Sequence, residues 1–307
     1  MHVVGIGQCS LDYIAFIDSY PDVNTKKEVI EWHEQGGGPV ATALVTLSRL
    51  GISCSFLGVI GDDYAGEKIR QSIAAEGIDI SGLVQRDKAV SQRAFIAVEQ
   101  GMGTRTIFWQ RPSGATLSEY ELHTDFLKGA RFLLLDGLMS DISIFAASAA
   151  KKQNIPVMLD AGRVRQGMLE VARLSDYVVA SEEFANDLEW DLSEKSLQRY
   201  RTQIGVGVLT ITRGEQGSIT VAHNQFFHMP AFQTRAVDTT GAGDVFHGGY
   251  LYGLLQGWNL RDTLMFASAV AAIKCTKVGG RTGIATLGEI EQFLMERGYT
   301  LPGKPVS

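Results

Sequence analysis

The sequence predicts a single α/β domain: an open, mostly parallel β-sheet with helices on both faces, and a small separate β-sheet beside it. Three observations carry this. From residue 131 onwards short apolar runs alternate with longer helical segments; the runs are Phe132 to Leu135, Val157 to Leu159, Tyr177 to Val179 and Val208 to Ile211. Such alternation is the pattern of parallel strands joined by crossover helices. Two earlier regions, about 11–35 and 90–112, carry strand-like runs instead and would pair with each other. Finally, 307 residues at 45% hydrophobic content suffice for a sizeable core.

Val3-Val4-Gly5-Ile6-Gly7 reads as a buried first strand. Gly5-x-Gly7-x-x-Ser10 comes close to the GxGxxG fingerprint, so a dehydrogenase holding NAD through residues 5–10 is a rival reading. That fingerprint needs a helix at once, whereas Leu11 to Ile17 is rich in aromatic and β-branched residues and reads as a strand. Glu28 to Glu34 is another strand-like piece. Gly36-Gly37-Gly38-Pro39 then opens a helix, with Pro39 suited to its first position, Gly51 to its end, and Val40, Leu44, Leu47 and Leu50 on its buried face. Ser55 to Ile60 is an apolar strand, and Gly61-Asp62-Asp63 turns into a helix carrying Ile69 and Ile73. Gln92 to Gln100 and Thr104 to Gln110 read as strands of a hairpin about Gly101-Met102-Gly103. This small sheet would close over a site as a lid that excludes water. Arg105, Gln110 and Arg111 lie on it or just after it, where a substrate is within reach.

Open parallel sheets bind ligands beyond the C-terminal ends of their strands. Asp136, Asp160, Ser181 and Thr212 fall at those ends, and Arg163 follows within reach of a phosphate. A glycine-bearing turn, Thr210 to Gly217, leads into a strand at Ser218 to Ala222. Phe266 to Lys274 is a helix, followed by Gly279-Gly280-Arg281-Thr282-Gly283 and a last amphipathic helix over 286–298; the tail beyond it is expected to fray.

The most informative stretch is Val237-Asp238-Thr239-Thr240-Gly241-Ala242-Gly243-Asp244. Phe246, Tyr250 and Leu254 recur every four residues after it, as do Leu251 and Leu255, so a helix starts at about Gly241. Its first amides lack partners inside the helix, and the helix dipole places about half a positive charge there. Two glycines flanking an alanine clear that corner of side chains and leave one carboxylate, Asp244, in the first turn. Phosphoryl transfer needs this: bare amides for the phosphate and a base for the acceptor hydroxyl. His247 shares the helix face of Asp244.

Residues 238–244 resemble the signature Asp-Thr-x-Gly-Ala-Gly-Asp of the PfkB, or ribokinase-like, carbohydrate kinases. Pattern at Ser181-Glu182-Glu183-Phe184 and Lys274-Cys275-Thr276 is nearest the ketohexokinase and sulfofructose-kinase side of that family. The resemblance implies ATP-dependent phosphorylation of a sugar-like hydroxyl. Asp244 is then the catalytic base, and the amides of Gly241, Ala242 and Gly243 form the anion hole. Asp12 and the Gly37–Gly38 loop would hold the sugar, with Thr42 where the family has Asn; Arg105 and Gln110 would reach it from the lid. Thr212, Gly214, Gly217, Gly279 and Gly280 would surround ATP. The usual Asn-x-x-Glu magnesium motif is Ser181 to Phe184 here, leaving Glu182 as the candidate Mg2+ contact. Asp238 would contribute to a monovalent-cation site for K+, and the lid would form a homodimer contact. A nucleoside kinase and a non-catalytic sugar-binding protein of the same fold are the alternatives.

Composition narrows the rest. With 28 basic and 34 acidic residues the net charge is −6, and no basic stripe suggests nucleic acid as a partner. Cys9, Cys54 and Cys275 form no framework, which fits a reducing cytoplasm. His223 and His228 bring no further ligands for zinc. No apolar run reaches the roughly 18–20 residues needed to span a bilayer, and no secretory signal is visible. No GxxxxGK[ST] occurs, so a P-loop is excluded.

Overall fold

The computed structural model describes residues 1–100, 104–123 and 125–301. The expected turn at Gly101-Met102-Gly103 and the tail beyond Leu301 lie outside the described residues. The strands are β1 (His2–Ile6), β2 (Ser10–Ile17), β3 (Glu31–Gly37), β4 (Ser53–Gly61), β5 (Asp79–Arg86), β6 (Arg93–Glu99), β7 (Arg105–Gln110), β8 (Phe132–Leu135), β9 (Val157–Ala161), β10 (Tyr177–Ser181), β11 (Val208–Thr212), β12 (Ser218–Ala222) and β13 (Gln225–Met229). The helices are α1 (Pro39–Arg49), α2 (Tyr64–Ala74), α3 (Ser140–Lys152), α4 (Met168–Leu174), α5 (Glu182–Asp187), α6 (Glu194–Ile204), α7 (Ala242–Leu255), α8 (Leu260–Lys274) and α9 (Leu287–Met295).

The main sheet runs β13-β12-β11-β10-β9-β8-β1-β4-β5. It is parallel from β5 to β11, and β12 and β13 add an antiparallel edge. Alternation along each strand divides the core. Val3, Phe56, Leu134 and Val179 pack with α1, α2, α7, α8 and α9, whereas Val4, Leu57, Leu133, Leu135 and Val178 pack with α3, α4, α5 and α6. Both faces are therefore covered, as a parallel sheet requires. The chain reverses its strand order at β1, which lies between β4 and β8. The carboxylate of Asp136 closes that switch point, accepting from the amides of Gln8 at 2.7 Å and Leu138 at 3.0 Å.

The small sheet has the order β3-β2-β6-β7. Its register aligns Gln35, Asp12, Ala94 and Trp109 in one row across the four strands. Directly opposed residues share a face, so Trp109 lies on the face of Asp12, and Gln110, one residue on, lies on the other.

One expected strand shifts, one strand is new, and the rival dinucleotide reading falls. The strand expected over 28–34 is Glu31–Gly37 and includes two glycines. They fit a strand because neighbours fill the space of their missing side chains: Ser72 and Arg281 at Gly36, Asp12 at Gly37. The edge strand β5 was not foreseen, since its half-exposed sequence lacks an apolar run. The dinucleotide reading fails because β2, not a helix, follows Gly7.

Candidate active site

The first turn of α7 is set by the loop before it. The amides of Val237 and Asp238 both donate to the carbonyl of Cys275, at 2.8 and 3.2 Å. The Asp238 carboxylate accepts from the amide of Thr240 at 2.8 Å and that of Gly279 at 2.7 Å, so one buried acid joins two loops. Gly241 caps the helix in a left-handed conformation, φ 71°, with no side chain over the amides. A Cβ at Gly243 would meet no atom within 4 Å. The corner is open, as expected. One detail differs from the expected trio of amides: that of Ala242 donates to the carbonyl of Thr239 at 3.2 Å. The amides of Gly243 and Asp244 are the ones in the first turn without an acceptor inside the helix.

Asp244 is half-buried beside this corner. Burial, followed by the Asp160 carboxyl, pushes its pKa up to about 6 against the opposing pull of His247. Asp136 is likewise raised to about 6 by burial, although the Gln8 and Leu138 amides favour its charged form. Behind them His247 Nε2 donates to the carbonyl of Val179 at 3.2 Å, which leaves Nδ1 as the acceptor. Asp160 Oδ2 lies 3.2 Å from Nδ1, and its pKa is raised well above the ordinary range by burial and then by Asp136. Burial likewise lowers the pKa of His247, so both members of this close pair are pushed toward their uncharged forms. Through His247 the N-terminal part of α7 meets the middle of β10 at Val179 and the end of β9 at Asp160.

Asp12 is buried under the small sheet, where Ser10 Oγ donates to it at 2.7 Å. A Cβ at Gly37 would stand 2.0 Å from Asp12 Oδ2, so glycine is what lets that carboxylate keep its place. Gly38 caps α1. Burial raises the pKa of Asp12, opposed by Ser10 and Arg281. Arg281 was not foreseen. It is buried, and its guanidinium donates to Gly37 O at 2.9 Å, Thr42 Oγ1 at 3.2 Å and Ser72 Oγ at 3.4 Å. Thr42 therefore does not face a substrate; its hydroxyl is a buried acceptor for Arg281. Arg105 reaches across from β7 to Thr239 Oγ1 at 2.7 Å, closing the small sheet onto the α7 loop. Gln110 does not share that face. Trp109 does, with Arg111 at 5.0 Å and Arg165 at 6.0 Å from its ring.

On the far side of α7, Thr212 Oγ1 donates to Ala180 O at 3.3 Å. Gly214 is open to a neighbour, but a Cβ at Gly217 would lie 2.0 Å from Met229 O, so the fold itself requires that glycine. Gly280 packs against Gly241, and Gly279 is fixed through its amide to Asp238. Ser181 caps α5, Phe184 is core, and Glu182 pairs with Arg213 at 3.3 Å. Arg163 is held by Asp187 at 2.6 Å. A surface hollow of about 630 Å3, lined by Met229, Phe232 and Tyr299 among others, contributes none of these groups.

The profile of the pfkB family carbohydrate kinases matches residues 1–287. A nucleoside kinase of Methanothermobacter thermautotrophicus is 27% identical over 305 residues, covering 98% of each chain. The ketohexokinase of Mus musculus is 22% identical over 284 residues, covering 89% of this chain and 95% of its own. A protein of E. coli provisionally named ribokinase II, solved with ATP and Mg2+, superposes with a TM-score of 0.82 at 23% identity, covering 96% of this chain and 99% of its own.

Proposed function

The chain belongs to the pfkB family of carbohydrate kinases, and from that premise we propose that it transfers the γ-phosphoryl group of ATP, carried with Mg2+, to a hydroxyl of a sugar or sugar-like small molecule. The observation that carries this reading is the open corner at Gly243 beside Asp244, across from Asp12. Asp12 accepts hydroxyls of the acceptor and orients one toward Asp244. Asp244 takes its proton as the phosphoryl group arrives. The Gly243 and Asp244 amides, with the positive end of α7, hold the charge that develops on the equatorial oxygens. Arg105 brings a fixed cation to the same loop from the lid. Closing the lid keeps water from competing as acceptor. Gly214, Gly279 and Gly280 border the nucleotide, with Thr212 and Gly217 as framework beneath.

Magnesium neutralises charge on the β- and γ-phosphate oxygens and enters as part of the nucleotide substrate. Glu182 does not fit the role of its ligand, since Arg213 holds its carboxylate and Phe184, at the end of the same motif, is core. Lid, parallel sheet and covering helices act as one domain over 1–307. The outer face of the lid exposes Trp32, Phe95 and Phe108, with ring centroids 5.7 and 6.1 Å apart in succession. Such a row supports a homodimer through the lid. Free thiols at Cys9, Cys54 and Cys275 support the cytoplasm. Among the described residues no helix is long and apolar enough to cross a membrane.

A second reading has its own observation. Trp109 lies in the row of Asp12 and offers a ring face for a base, which favours a nucleoside acceptor. ADP release with ATP and a panel of ketoses, aldoses, phosphosugars and nucleosides decides between the two. Asp244→Asn should lose about 10²–10⁴ in turnover while binding the acceptor normally by calorimetry. An unchanged rate in that variant defeats the mechanism, and binding without ADP release in the wild type leaves a sugar-binding protein.

A further inference from the structure

Lys274 ends α8 with no exposed surface. A lysine is rarely buried without a task, because its charge must leave water. Its Nζ donates to the main-chain carbonyl of Asp238 at 2.7 Å. Asp238 is the residue whose carboxylate joins the amides of Thr240 and Gly279, five residues before Gly243 at the open corner of α7. The neighbouring carbonyl of Cys275 takes the amides of Val237 and Asp238. The end of α8 thus holds the whole approach to the anion corner, and an ammonium stands at the centre of it. Burial lowers the pKa of Lys274, while the Asp238 carboxylate, and more weakly Asp244, favour its charged form.

The resemblance assigns a monovalent cation to this neighbourhood, with Asp238 among its ligands. The residues present do not fit a second cation. Both Asp238 carboxylate oxygens already accept amides, at 2.8 and 2.7 Å, and its carbonyl faces an ammonium at 2.7 Å. A potassium ion on that carbonyl would lie within a few ångströms of a like charge in a dry site. We propose that the Lys274 ammonium is a built-in substitute for the monovalent cation: it fixes the 237–241 loop and lends positive charge behind the anion corner, so that nucleotide binding and turnover do not depend on K+. Lys274 touches neither substrate; it is a positioning residue acting through Asp238. The inference rests on the kinase reading for its meaning, but its test does not require turnover.

The experiment compares K+, Na+ and tetramethylammonium chlorides at fixed ionic strength. ATP affinity by calorimetry and, where an acceptor is found, kcat are expected to agree within about twofold across the three salts, and the melting temperature within about 2 °C. Activation by K+ of about tenfold or more, or nucleotide affinity that requires K+, overturns the proposal. Lys274→Ala in tetramethylammonium should lose on the order of 10² in kcat with a small change in acceptor KM. It should regain about tenfold or more on addition of K+, NH4+ or methylammonium, whereas Lys274→Met, which fills the space, should not. Equal recovery in both variants, or no loss in either, refutes the role. If neither variant folds, the wild-type salt comparison decides alone. If no acceptor yields ADP, the kinase reading fails, and calorimetry still decides the cation question.

Discussion

Gly243→Ala separates the phosphate corner from the stability of the helix. Gly243 is the second residue of α7, with an ordinary helical backbone, and a Cβ there meets nothing within 4 Å. The fold therefore gives no steric reason for glycine. Replacing glycine by alanine inside a helix stabilises by about 0.5–1 kcal/mol, so the melting temperature should hold or rise by about 1–3 °C. Activity should move the other way. The new methyl stands over the amide where a phosphate oxygen must come within about 2.9 Å. Loss of one preorganised donor to a developing oxyanion lowers turnover by about 10²–10³. The fall should appear in kcat, with the acceptor KM nearly constant, because the proposed acceptor contact, Asp12, sits on β2 and not on α7. The assay is ADP release on the best acceptor, run beside differential scanning calorimetry. Wild-type turnover in a stably folded Gly243→Ala protein would refute the assignment of this corner to the transferring phosphate. A melting temperature lowered by more than about 5 °C would refute the claim that the corner is empty.

Two further outcomes follow from the same geometry. Asp244 must be ionised to accept a proton, and its pKa is raised to about 6, so kcat/KM should fall as pH drops through that value. At pH 5 about one molecule in eleven keeps the base ionised, and a profile flat down to pH 4 would contradict the role. Arg281→Met leaves Thr42, Ser72 and the Gly37 carbonyl without their common donor. It should destabilise by about 2–4 kcal/mol and raise the acceptor KM about tenfold or more by releasing Asp12, as calorimetry and initial rates will check.

Much of this protein is local and could be read along the chain. The apolar periodicity of residues 132–211 and the glycines before Asp244 act over a few residues, so they determined the parallel strands, the start of α7 and the place of Asp244 in its first turn. Asp12 and Gly37 came instead from the family resemblance, and the pairing of β2 with β3 brings them together. Other assignments turned on partners far away in sequence. Thr42 looked like a sugar contact until Arg281, 239 residues on, took its hydroxyl. Gln110 was expected to reach the substrate from the lid, yet strand register puts Trp109 on the face of Asp12 and Gln110 on the other, and a shift of one residue reverses every side chain. Glu182 was offered to magnesium, but α5 placed it against Arg213. Lys274 stood in the sequence as the end of a helix, and the packing of α8 against the 237–241 loop buries it on Asp238. Short-range pattern sets which elements form and which residues stand at their ends. Which charges are neutralised, and by whom, depends on contacts between elements that become neighbours only when the sheet is assembled.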